Sequence, residues 1–166
     1  MIMYDIINYV DCSREQLMEI LNMRNLESIR MWMTNPEIIS EESHFNFVER
    51  LKDNKDRLYF AIFDDGVLAG TYNLTRNEDG SWERGLFANP ITQGKGETKM
   101  WELKLLSRLP LYGIEVVTAK VKLNNVRSIR YHEKVGYKET IRDNEYIYFK
   151  LDINMIPKSL MGGVKT

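Results

Sequence analysis

Two stretches of this 166-residue chain carry residue types at spacings that could do chemistry. The first reads Trp82-Glu83-Arg84-Gly85-Leu86-Phe87-Ala88-Asn89-Pro90 and continues Ile91-Thr92-Gln93-Gly94-Lys95-Gly96-Glu97-Thr98-Lys99-Met100-Trp101. An apolar run breaks at Asn-Pro, a polar loop with two glycines follows, and a helical pattern begins. Strand, glycine loop, helix is the order that aims a row of free backbone N–H groups at an anion, and Lys95 adds positive charge beside them. The same residues also suit a plain tight turn, since glycine pairs are common in turns. Neither the Walker phosphate-loop spacing nor the dinucleotide fingerprint is present. The second stretch runs from Asn125 to Tyr137. Asn125, Ser128, Ile129 and His132 fall at i, i+3, i+4 and i+7 and share a helix face, while Tyr131 points about 100° away.

The elements that must position these stretches can be read in order. A strand is predicted over Met1 to Val10, then a helix over Arg14 to Met23 with Ser13 as its N-cap. A second helix covers Leu26 to Met33 and stops before Asn35-Pro36; a third, capped by Ser40, covers Glu41 to Lys52. Leu58 to Phe63 and Val67 to Leu74 form a hairpin about Asp64-Asp65-Gly66, and Trp82 to Ala88 follows the turn at 77–80 as the third strand of a meander. After the glycine loop comes a helix from Glu97 to Leu109, halted by Pro110. Ile114 to Val121 is a dense β-branched strand, Asn125 to Val135 a helix closed by Gly136, and Tyr137 to Leu151 a closing hairpin. The order predicts an α/β (α+β) sandwich, a mixed sheet with helices on both faces. One domain is expected over residues 1–152, with 153–166 a weakly docked or fraying tail.

The totals exclude several classes. Net charge is −1, which argues against a nucleic-acid or anionic-membrane surface. No apolar run is long enough to span a bilayer, and no basic-then-apolar signal pattern opens the sequence. Cys12 is the only cysteine, and His44 and His132 have no metal-ligand spacing, so no metal is expected. A cytoplasmic protein is the expectation.

At the glycine loop the chain resembles the GCN5-related N-acetyltransferases (GNAT superfamily), whose signature is Gln/Arg-x-x-Gly-x-Gly/Ala at this point. Here Gln93 and Gly96 match, and Thr98 stands where the family has Gly or Ala. The resemblance implies a largely antiparallel sheet splayed at its central strand, and a loop whose N–H groups hold the pyrophosphate of acetyl-CoA. It assigns Gln93, Gly94, Lys95, Gly96, Glu97 and Thr98 to the cofactor, with the Glu97 carboxylate turned away from the phosphates. Asn125 to Tyr137 resembles the family's Asn-x-x-Ala-x-x-Leu-Tyr-x-Lys-x-Gly-Phe segment, which assigns Asn125, Ser128, His132 and Lys134 to the cofactor's arm. His132 occupies the position of the family's general-acid tyrosine. An imidazolium there could protonate a departing thiolate, with reference pKa values of about 6.5 and about 8.5. The alternatives are that Tyr131 is the donor, or that His132 only packs and the thiolate leaves unassisted. Unpaired N–H groups at Leu86, Phe87 and Ala88 are implied to bind the acetyl carbonyl. Glu83 is implied to take the amine's proton, or else is an exposed strand charge.

Residues 23–51 look like one subgroup, the enzymes that acetylate the 4-amino group of a UDP-linked 4-amino-4,6-dideoxy sugar (UDP-4-amino-4,6-dideoxy-N-acetyl-beta-L-altrosamine) in pseudaminic acid biosynthesis. Its Arg-Asn, Trp-Met, Ser and His-x-x-Phe features stand here at Arg24-Asn25, Trp32-Met33, Ser40 and His44 to Phe47. Trp32, Met33 and Phe47 are implied to wall the nucleotide sugar, and Arg24 and Arg30 to meet its diphosphate. Phe47 could equally be helix core and Arg24 a solvated charge; His44 is expected at the helix surface or cap. Direct amine attack is expected, with no acyl-enzyme. The alternatives are a protein N-terminus or small amine as acceptor, or a coenzyme-A-binding regulatory module without catalysis. A homodimer using Trp101 and the C-terminal hairpin is a further expectation.

Overall fold

Local capping chemistry starts the helices where the sequence places it. The structure, a computed structural model, describes residues 3–161. Ser13 and Gln16 form a reciprocal capping box at the head of α1, Arg14–Arg24. Ser40 Oγ accepts the Ser43 N–H to begin α3, Glu41–Leu51. Between them α2 is only Glu27–Arg30. The predicted helix to Met33 gives way to i→i+3 turns, Trp32 N–H to Ile29 and Met33 N–H to Arg30, on approach to Asn35-Pro36.

The strands are β1 Tyr4–Asn8, β2 Arg57–Asp64, β3 Val67–Arg76, β4 Trp82–Ala88, β5 Val116–Lys122, β6 Lys138–Arg142 and β7 Tyr146–Asp152. They form a seven-stranded sheet of order β1-β2-β3-β4-β5-β7-β6. The β1–β2, β2–β3, β5–β7 and β6–β7 ladders are antiparallel. β4 and β5 run parallel, pairing Trp82 with Val117 and Glu83 with Thr118. α4, Glu97–Leu106, follows the glycine loop, and α5, Val126–Val135, follows β5. This is the mixed, mostly antiparallel sheet with helices that the sequence predicts. α4 is shorter than predicted: Ser107 Oγ bonds the Lys104 carbonyl at 2.6 Å, and Leu109 to Tyr112 then make a separate tight turn at Pro110.

The chain divides into two compact units, one running to Thr75 with Gly85–Thr98 added, the other comprising Arg76–Arg84 and the chain from Lys99 onward. β4 therefore belongs to both, changing unit between Arg84 and Gly85, one residue past its ladder with β5. The first unit packs α1 and α3 on the sheet through Leu17, Ile20, Val48, Leu51, Ala61, Phe63 and Leu68. His44 belongs to this interior. It is buried, and its Nε2 lies 2.9 Å from the Leu17 carbonyl, which ties α3 to α1 and corrects the expected surface position.

The second unit buries Trp101, Leu105, Leu106, Val117, Ile147 and Phe149. Trp101 is fully enclosed, so it offers no face to a second copy, contrary to the sequence expectation. Past β7 the chain does not fray at once. Asp152 caps a turn, Ile153 donates to the Glu115 carbonyl at 2.9 Å, and Ile153 and Ile156 are buried. Met1, Ile2 and the Gly162-Gly163 end of the expected tail lie outside the described residues.

Candidate active site

In the first unit, the end of β4 is pinned by one residue. Asn89 donates its backbone N–H to Ala69 at 2.8 Å and its side-chain amide to Leu68 at 3.0 Å, while its Oδ1 caps the turn at Ile91. That turn, Pro90–Thr92, delivers the loop. Gly94 and Gly96 both lie in the left-handed region, at φ 82° and 78°. Left-handed residues alternating along a loop point successive N–H groups to one concave side, and the first turn of α4 adds its own unpaired donors. Gln93, Gly94, Lys95 and Gly96 are exposed, and Glu97 and Thr98 are half-buried. The Glu97 charge raises the Tyr4 phenol pKa, second to burial, so the carboxylate lies near β1. Exposed backbone N–H groups beside Lys95 are the donor chemistry that a pyrophosphate calls for. A Cβ on Gly96 would meet nothing within 4 Å, so any penalty there is backbone conformation alone. Gly96→Ala is expected to cost about 1–2 kcal/mol in holding that conformation, about tenfold in acetyl-CoA affinity by calorimetry. Unchanged affinity would remove this loop from the binding role.

The implied acceptor residues share this unit. Arg24 Nη2 donates to the Asn35 carbonyl at 2.7 Å, and Arg30 Nη1 to the Pro36 carbonyl at 3.3 Å. Asn25 clamps the same loop farther along, exchanging bonds with the Ile39 N–H and carbonyl at 2.9 and 2.8 Å. Arg24 Nη1 and Arg30 Nε are buried without a partner. Burial lowers the Arg24 pKa, and Arg30 lowers it further, so the two cations feel each other. Neither is ion-paired among the described residues. Trp32 is 41 % exposed and Met33 half-buried on the loop. Phe47 packs edge-on to Tyr59 at 4.9 Å and touches the core, so it spans both sequence readings. Leu86 and Phe87 are half-buried and Ala88 buried, with Phe87 against the same core.

The second unit holds the other candidates. Asn125 Oδ1 accepts the Ser128 N–H at 3.2 Å and so starts α5. His132 is 3 % exposed, stacked on Phe149 at 5.2 Å and edge-on to Tyr137 and Tyr131. Its Nδ1 lies 2.6 Å from the Ser128 carbonyl, which accepts only a proton-bearing nitrogen, so Nδ1–H donates and Nε2 carries a bare lone pair. Nε2 is buried without a partner. Burial, then the nearby Arg84 charge, push the pKa down to about 3, against the opposing bond to Ser128. The imidazolium that the sequence reading requires is therefore not present near neutral pH, because this ring sits in an aromatic cage beside a cation.

Tyr131 is also committed elsewhere. Its hydroxyl donates to Glu102 Oε1 at 2.7 Å. Burial, then the Glu102 charge, raise its pKa well above the ordinary phenol value, which makes it a poorer acid. Glu102 in turn receives Arg84 Nη2–H at 3.3 Å and Tyr137 O–H at 3.2 Å, while Arg84 Nε–H donates to the Tyr137 oxygen at 3.2 Å. Arg84 and Glu102 are both buried and neither was among the predicted site residues. No local pattern announces them: Arg84 directly follows the charged Glu83, and Glu102 lies between Lys99 and Lys104. Glu83 beside Arg84 is half-buried, and Lys134 is exposed.

The sequence profile described as the acetyltransferase (GNAT) family matches residues 17–137. The chain belongs to this family. It is an acetyl-CoA-dependent N-acetyltransferase, as the loop and α5 segments imply. Acetyltransferase PseH of Campylobacter jejuni (serotype O:2) is 23% identical over 141 residues, 85% of this chain and 88% of that protein. The solved structure of C. jejuni N-acetyltransferase PseH with acetyl coenzyme A superposes with a TM-score of 0.70 at 19% identity, covering 90% of this chain and 99% of that one. Spermidine N-acetyltransferase from Vibrio cholerae, solved with CoA and spermine, gives 0.78 at 18%, covering 91% and 96%. At these identities the superpositions establish the fold. Among the described residues no helix is long and apolar enough to cross a membrane, and no group of three or more His, Cys, Asp or Glu could hold a metal ion.

Proposed function

We propose that this acetyltransferase acts on the 4-amino group of a UDP-linked 4-amino-4,6-dideoxy sugar, the pseudaminic-acid-type acceptor. The observation that carries the reading is the acceptor loop: two guanidiniums without carboxylate partners among the described residues, each with a buried N–H unused, beside exposed Trp32. A diphosphate would meet those donors, and Trp32, Met33 and Phe47 offer apolar surface to the deoxy sugar or base. The likeness to PseH of C. jejuni points the same way. A polyamine acceptor, as in the V. cholerae relative, would meet two cations in this loop.

Acetyl-CoA supplies the acetyl group as a thioester. In the proposed reaction the Gln93 to Thr98 loop holds the phosphates, and Asn125, Ser128 and Lys134 meet the rest of the coenzyme. The Leu86, Phe87 and Ala88 backbone receives the carbonyl oxygen as the neutral amine attacks. Glu83 takes the proton the amine sheds, and the C–S bond breaks to release a thiolate. His132 gives shape and an acceptor lone pair, not a proton, and the thiolate departs unassisted, as its acidity allows. No acyl-enzyme is needed. Burial, then the neighbouring Asp11 charge, lift the Cys12 thiol to about 11, leaving it almost wholly protonated near neutral pH.

The test is a screen of UDP-amino-sugars, protein N-terminal peptides and spermidine with acetyl-CoA, with product detected by mass. Acetylation of the 4-amino-4,6-dideoxy sugar with kcat/KM at least about tenfold above every other amine is expected, the discrimination available to a site that pairs buried polar groups. Preference for spermidine or a peptide would overturn the sugar assignment.

A further inference from the structure

Asn73 stands in the middle of β3, between β2 and β4 in the sheet order. Its cross-strand partner is Tyr59, and paired residues project from the same face. Tyr59 touches Phe47 of α3 at 4.9 Å and Tyr9 at 5.3 Å, so this face is the one covered by α1 and α3, where the acceptor residues lie. On the other side Asn73 lies flat over Gly85. A Cβ built on Gly85 would sit 2.8 Å from the Asn73 Nδ2 and 2.9 Å from its Oδ1. Only glycine leaves the carboxamide room there.

Asn73 makes poor sense as a purely structural residue. Thr71, Tyr72 and Leu74 around it are 0–1 % exposed, yet Asn73 is only half-buried. Among the described residues its carboxamide forms no hydrogen bond. A strand interior normally pairs or excludes such a group. Here one donor and one acceptor are held side by side, accessible, one residue from the Leu86 backbone. A neutral amide matches neutral polar groups, a hydroxyl or an acetamido, rather than a second cation.

We propose that Asn73 orients the acceptor by exchanging hydrogen bonds with neutral polar groups flanking the attacking amine, and that Gly85 is glycine to admit it. This rests on the sugar reading above for the identity of those groups. Three variants test it: Asn73→Ala, Gly85→Ala, and the two together. Asn73→Ala is expected to lower kcat/KM for the UDP-amino-sugar at least about tenfold, because a site built around a polar group loses orientation without it. The KM for acetyl-CoA and the melting temperature should stay near wild type. Gly85→Ala drives its new methyl into the carboxamide, which must turn aside, so acceptor kinetics should fall with little change in melting temperature. The double variant should match Asn73→Ala in acceptor kinetics, because both changes act on one carboxamide. Wild-type kcat/KM in Asn73→Ala, or a parallel rise in both KM values, overturns the proposal. If the wild type ignores the sugar, the sugar reading fails by itself. The same variants are then compared on the amine that the screen identifies, and an unselective or absent effect there overturns the role of Asn73.

Discussion

Arg84→Met should cost about 3–5 kcal/mol, the usual penalty for leaving one charge of a buried pair without its partner. Nη2 donates to Oε1 at 3.3 Å and Nε lies 3.0 Å from Oε2, with 4 % and 0 % of the two side chains exposed. Removing the guanidinium strands a fully buried carboxylate whose other donors among the described residues are two tyrosine hydroxyls. The Arg84→Met/Glu102→Leu double variant should recover a large part of the loss, because apolar replacements of a buried pair are often neutral. Urea midpoints of the two variants measure this. A single variant within about 1 kcal/mol of wild type would mean the pair is solvated in solution, as exposed pairs of that small worth are. The network joins β4, α4 and α5 within one unit, so it fixes the strand segment carrying Glu83 relative to the helix carrying His132.

That network shows why part of the molecule was legible in sequence and part was not. Ser13, Ser40 and Asn125 cap the helices they precede, and Gly136 ends α5 at φ 115°, because each acts on backbone groups a few residues away. The Gly94-Lys95-Gly96 loop reads the same way: its conformation follows from its own residues. Arg84, Glu102, Tyr131 and Tyr137 meet across sequence separations of 18 to 53 residues, where no local spacing announces the contact. The burial of His44 and of His132 has one shared cause. Helical spacing gives the face on which a residue lies, but whether that face meets solvent or an aromatic wall depends on strands far away in the chain. Asn25 is intermediate: its neighbourhood is recognisable as a motif, but its clamp on Ile39 needs the fold.

His132 sets a pH dependence of opposite sign to the one an imidazolium acid would give. Its folded pKa of about 3 lies below the unfolded value of about 6.5, so between these values the unfolded chain binds the extra proton. Stability is therefore complete above about pH 6.5 and falls as pH drops through that window, by about 2 kcal/mol between pH 7 and pH 5 from this one residue. His44, lowered in pKa by burial against its bond to Leu17, adds to the loss in the same direction. His132→Gln isolates the contribution: its urea-midpoint profile should lose most of the slope between pH 7 and pH 5 while His44 keeps the remainder. Catalysis gives an independent reading. An imidazolium donor would make kcat/KM fall as pH rises through the histidine range. With His132 neutral and the amine required neutral, kcat/KM should climb steadily from pH 5.5 to 8, and more steeply than any change in acetyl-CoA affinity. A descending limb near pH 6.5 that disappears in His132→Gln would restore the proton-donor role. Its persistence in that variant would move the search to another acid. The neutral ring follows from its surroundings: Phe149 stacked on one side, Tyr131 and Tyr137 edge-on, Arg84 close by, and the Ser128 carbonyl taking the one proton the ring keeps.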